Sequence, residues 1–107
     1  MKLPGNAKQM LEQAKQMQDR LKQEVEAIRV EASTGGGMVT VSMDGNKTVT
    51  CIKIDPDAAE DIEMLEDMVQ GAVNEAVRRV EEETQRKVSG VMGGMLAGGM
   101  MPPGMLG

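Results

Sequence analysis

The 107-residue chain has no histidine, no phenylalanine, tyrosine or tryptophan, and a single cysteine, Cys51. Each gap removes a class of function. Without histidine the usual neutral-pH general base and commonest metal ligand is missing. One cysteine allows neither an intrachain disulfide nor a cysteine-based zinc site. Without aromatic rings, bases have no stacking platform, which excludes single-strand readers of that design. No stretch is continuously apolar enough to span a bilayer. The N-terminal segment meets Lys8, Gln9 and Glu12 with no apolar h-region, so no secretory signal is expected and a reducing, cytoplasmic setting is. What remains is a 40% hydrophobic, 27% charged chain of net charge −5, a composition that folds.

The pattern predicts one domain over 1–88 and a Gly/Met-rich, flexible tail over 89–107. A helix is expected over 6–27, with Asn6 as N-cap. Ala7, Met10, Ala14, Met17, Leu21 and Ile28 form a 3-4 apolar seam, widened by Leu11 and Val25 and interrupted by Glu24. From Ile28 the apolar period drops to two, predicting three antiparallel strands within 28–55. Gly35-Gly36-Gly37 lacks a following Lys-Ser/Thr and suits backbone geometry rather than phosphate binding. Asp44-Gly45 signals a hairpin. Cys51, mid-strand, reads as a buried small hydrophobe; were a dimer axis close by, two such thiols could meet.

Asp55-Pro56-Asp57 ends the sheet, and Asp57 with Glu60 resembles a capping box opening a second long helix over 56–88. Ile62, Leu65, Val69, Ala72, Val73, Ala76, Val77 and Val80 keep one face apolar. Glu75/Arg79, Arg78/Glu82, Arg79/Glu83, Glu82/Arg86 and Glu83/Lys87 stand at i,i+4 spacing on the other. The fold class is therefore α+β, ordered α-β-β-β-α. Two long helices and a small sheet leave apolar surface uncovered in a monomer, so a homodimer is expected.

Candidate chemistry is sparse. The paired acids (Asp61/Glu66, Glu81 to Glu83) lie in helical charge runs, which are ordinarily solvated faces, so no catalytic residue is assigned, nor any cofactor, metal or small-molecule substrate. The informative pattern is basic: Lys8, Lys15, Lys22 and Arg29 recur every seven residues, flanked by Lys2 and Arg20. Over 21 residues such a stripe would run about 32 Å, close to one turn of B-DNA at about 34 Å. Phosphate contacts need only charge and reach. Yet Lys8/Glu12, Lys15/Asp19 and Lys22/Glu26 are also i,i+4 pairs, and a solvated helix face outweighs DNA binding on residue pattern alone. The total of −5 is uneven, however. Residues 1–30 carry six basic and four acidic side chains, whereas 55–67 carry seven acids and no base.

In order along the chain, Gln13-Ala14-Lys15-Gln16-Met17-Gln18, Gly35-Gly36-Gly37-Met38-Val39-Thr40-Val41, Asp44-Gly45, Ile54-Asp55-Pro56, Glu63-Met64-Leu65-Glu66-Asp67, Asn74-Glu75-Ala76 and Pro102-Pro103-Gly104 resemble the YbaB/EbfC family of bacterial nucleoid-associated proteins. The resemblance implies a tweezer-like homodimer with associated sheets and projecting helical arms. It implies double-stranded DNA as partner, a cytoplasmic nucleoid location, and a part in nucleoid organisation or regulation of expression. It implies no enzyme activity, cofactor or membrane. Contacts follow from charge: Lys8, Lys15, Lys22, Arg29, Lys2 and Arg20, with Arg78, Arg79, Arg86 and Lys87 as a secondary set. The alternative is a protein–protein adaptor that docks a partner through the exposed seam, the acidic helix start and the Met-rich tail.

Overall fold

The structure, a computed structural model, describes residues 5–95, with side chains placed for 6–93. Helix α1 spans Gly5–Glu26, strands β1, β2 and β3 span Arg29–Thr34, Val39–Asp44 and Val49–Ile54, and helix α2 spans Ile62–Met95. The strands form one antiparallel sheet in the order β1-β2-β3. This is the α-β-β-β-α order expected from periodicity.

The core lies between one sheet face and α2. Ala32 of β1, Val39, Val41 and Met43 of β2, and Met68, Ala72, Ala76 and Val80 of α2 are buried. The last four recur every four residues, and the small side chains of Ala72 and Ala76 let the middle of the helix lie close on the sheet. The seam of α1 is covered only at its C-terminal end. Ile28 is buried and Met17, Leu21, Glu24 and Val25 are half-buried, while Met10 and Leu11 remain 62% and 64% exposed.

Several boundaries differ from expectation for identifiable reasons. α1 already includes Gly5, so Asn6 sits in its first turn rather than capping it. Pro56–Glu60 is a separate 3-10 turn capped by Asp55, whose carboxylate accepts from the Asp57 N–H at 2.9 Å. α2 starts afterwards, with Asp61 accepting from the Met64 N–H at 3.1 Å. The capping acids are thus Asp55 and Asp61, not the Asp57/Glu60 pair.

α2 also runs through Met95, seven residues past the expected boundary at 88. Thr84, Lys87 and Val91 continue its half-buried face at helical spacing, and packing against α1 outweighs the low propensity of Gly90 and Gly93. The rest of the expected tail lies outside the described residues.

Glycine has two different uses. Gly35, Gly36 and Gly37 have φ of 62°, 67° and 97°, conformations open to glycine at little cost, and they link β1 to β2. In the β2–β3 hairpin the left-handed residue is instead Lys47, φ 62°. Gly45 serves proximity: a Cβ there would overlap the Val25 carbonyl oxygen at the end of α1. The Asp44 carboxylate closes the loop by accepting from the N–H groups of Asn46 (2.9 Å) and Thr48 (3.1 Å).

Cys51 corrects an expectation, because it is exposed. Opposite residues in an antiparallel pair share a sheet face, and Cys51 pairs with Ser42, itself paired with Glu31. The thiol therefore lies on the polar face away from α2. The inner face of β3 carries Val49, Ile52 and Ile54, yet these too are exposed, at 37%, 45% and 43%. α2 packs over β1 and β2, and every residue of β3 is exposed.

Candidate nucleic-acid interface

The ten basic residues singled out by charge pattern fall into distinct environments. Lys2 lies outside the described residues. Lys8, Lys15 and Lys22 are exposed along α1, and among the described residues none of them is within an ion-pair distance of an acid. The neutralising partners Glu12, Asp19 and Glu26 are thus not engaged. Because α1 ends at Glu26, the helical stripe comprises three lysines over about 21 Å rather than four cations over about 32 Å.

Arg29 belongs to β1 and has a structural task. Its guanidinium donates to the carbonyl oxygens of Glu26 (2.8 Å) and Ile28 (2.7 Å), satisfying acceptors at the end of α1. Arg79 is similarly committed, donating to the Glu31 carbonyl oxygen of β1 and pairing with Glu75 at 3.3 Å. Arg78 pairs with Glu75 at 2.6 Å and Glu82 at 3.1 Å. The expected Glu75/Arg79 and Arg78/Glu82 pairs therefore form, whereas Arg86 pairs with Glu83 instead of Glu82.

The Arg78 hydrogen bond, assisted by Arg79, holds the Glu75 carboxyl below its ordinary 4.5, against a smaller opposing effect of burial. A folded pKa below the unfolded one stabilises the fold above the unfolded value, and the gain is lost as pH falls through the folded value. The urea midpoint of the native chain should fall more steeply below about pH 4.5 than that of Glu75→Gln, and parallel acid limbs would contradict this.

Tertiary packing joins residues that the sequence keeps apart. Arg20 and Glu24 of α1 meet Glu83, Arg86 and Lys87 of α2 around an open groove of about 400 Å³ between the helices. Sequence reading missed the two glutamates as site residues. The one available signal was Glu24, a charge interrupting an apolar seam. At about 100° per residue, Arg20 falls on the flank of α1 opposite Lys8, Lys15 and Lys22. The molecule thus carries two basic surfaces, an unpaired lysine stripe and an interhelical groove in which cations alternate with acids. Among the described residues no three His, Cys, Asp or Glu side chains converge as a metal site would require, and no helix is long and apolar enough to cross a membrane.

Comparison with known proteins covers the same elements. The chain is 42% identical to a nucleoid-associated protein of Acidobacterium capsulatum, over 95% of this chain and 97% of that one. It is 46% identical to a nucleoid-associated protein of Koribacter versatilis, over 84% and 91% of the respective chains. The crystal structure of an uncharacterized protein from Helicobacter pylori superposes with a TM-score of 0.60 at 27% identity, covering 72% of this chain and 92% of the other. The model of the YbaB/EbfC DNA-binding family matches residues 2–95, which takes in both helices and the whole sheet, and the chain accordingly belongs to that family.

Proposed function

We propose that this protein is a nucleoid-associated, double-stranded-DNA-binding homodimer that works in the cytoplasmic nucleoid, organising DNA or tuning expression. The observation that carries the reading is the match of both helices and the sheet to a family described as DNA-binding. The unpaired lysines of α1 fit it physically. Phosphates attract any accessible cation through release of condensed counterions, without side-chain stacking and without base readout. The net charge of −5 does not oppose this, since seven acids and no base fall in residues 55–67, across the sheet exit, the 3-10 turn and the first turns of α2. No catalytic step is part of the function.

Dimerisation in this reading uses β3. The strand is an edge with free backbone donors and acceptors, and its inner face exposes Val49, Ile52 and Ile54 beside the core. A flat apolar edge of this kind is a template for another strand. Pairing with the β3 of a second copy extends the sheet and covers these side chains. Two copies then hold two lysine stripes, and simultaneous engagement raises affinity without new contacts.

Changing Ile52 and Ile54 together to Lys tests this assembly. The expected result is a shift from dimer to monomer in sedimentation equilibrium, with duplex affinity falling about 100-fold as bivalent engagement is lost. A variant that remains dimeric and binds as tightly as the native chain contradicts the assembly.

A further inference from the structure

The interhelical groove carries more than charge. It holds three cations, Arg20, Arg86 and Lys87, and two acids, Glu24 and Glu83. Each acid is within ion-pair distance of one arginine, with Arg20 Nε 3.6 Å from Glu24 and Arg86 against Glu83. Both pairs lie within a single helix, at i,i+4 on α1 and i,i+3 on α2. Neither therefore fastens α1 to α2.

Exposure differs sharply between the partners. The arginine side chains are each 73% exposed, whereas the glutamates are each 34% exposed. The glutamates are the more enclosed partners and the guanidinium groups the more open ones. An arginine there can turn from its carboxylate to an incoming anion without disturbing the helix, because exposed ion pairs are held by little free energy. Arginine also matches the planar fork of a phosphate.

We propose that Glu24 and Glu83 are built-in competitors of the DNA backbone. They occupy Arg20 and Arg86 in the free protein, and a DNA phosphate entering the groove must displace them. The groove is then a second phosphate contact held in check, on the flank of α1 opposite the lysine stripe. This rests on the DNA-binding reading above and adds a control on its strength.

The test is binding of a labelled duplex to the full-length dimer carrying Glu24→Gln and Glu83→Gln. Glutamine keeps shape but frees the arginines. Affinity should rise about tenfold, and the slope of log K against log salt should steepen by up to about 3.6, for two added phosphate contacts on each copy of the dimer. Glu60→Gln with Glu63→Gln removes as much negative charge from residues that make no ion pair among those described, and should change affinity less than about threefold. Adding Arg20→Gln and Arg86→Gln to the glutamine variant should cancel the gain, since the coupled groups are then gone. Tighter binding confined to the groove variant supports the competitor role. Weaker or unchanged binding by that variant, with the native dimer still binding, overturns it alone, and a weaker result assigns the glutamates to positioning the arginines. Failure of the native dimer to bind duplex DNA even at low salt overturns both the DNA-binding reading and this control.

Discussion

Changing Lys8, Lys15 and Lys22 together to Glu should weaken duplex binding by at least about 100-fold at moderate salt and flatten its salt dependence. The magnitude follows from counterion release. Each lost phosphate contact lowers the slope of log K against log salt by about 0.9, and a dimer loses the contribution of both copies. Reversal of charge adds repulsion where attraction stood. All three lysines are exposed and without an ion-pair partner among the described residues, so the change sacrifices no contact that holds the fold. The reversal does set like charges at i,i+4 against Glu12, Asp19 and Glu26, so far-UV circular dichroism accompanies the titration to show that α1 keeps its helix. Native affinity in the triple variant would remove the α1 stripe from the interface.

The largest expected loss of stability comes from adding one carbon atom. Gly45→Ala should destabilise the fold by about 2–3 kcal/mol, because the new methyl overlaps the Val25 carbonyl oxygen. Backbone cannot swing aside as a flexible side chain can. Either the hairpin or the end of α1 must move, and the latter is also where Arg29 ties the carbonyls of Glu26 and Ile28. For a domain of this size the midpoint should fall by roughly 10–20 °C in a scan at fixed protein concentration. The same substitution at Gly90 meets open space within a helix and should be neutral or stabilising by up to about 1 kcal/mol. Equal effects at the two positions would show that the close approach of Gly45 to α1 is not formed in solution.

Gly45 also illustrates what sequence conveys and what it hides. Asp44-Gly45 correctly located a hairpin, but the left-handed conformation fell to Lys47, and the reason for glycine at 45 is a contact with Val25 of α1. Periodicity is local, so it revealed the helices, the three strands and the Gly35–Gly37 link. It did not reveal which face of which strand is covered. Cys51 was placed in the core because its strand is apolar-rich. Lys53, two residues on and hence on the same face, was the signal that this face meets solvent. The extent of α2 past 88 depended on packing against α1, which glycine content does not report. At the candidate interface, heptad spacing identified Lys8, Lys15 and Lys22 without help. Assigning Arg29 and Arg79 required their carbonyl acceptors, and those lie on other elements. The groove joining Arg20 to Arg86 and Lys87 arises only where two helices far apart in the chain meet.

In the proposed function the protein holds duplex DNA through phosphate contacts made by a dimer's α1 lysines. The most direct test is a titration of a labelled duplex with the native protein across a series of salt concentrations. If all six stripe lysines of a dimer engage, log K should fall linearly with log salt at a slope of about −5. A slope near zero, or no binding at about 50 mM salt where phosphate contacts are strongest, would contradict the claim.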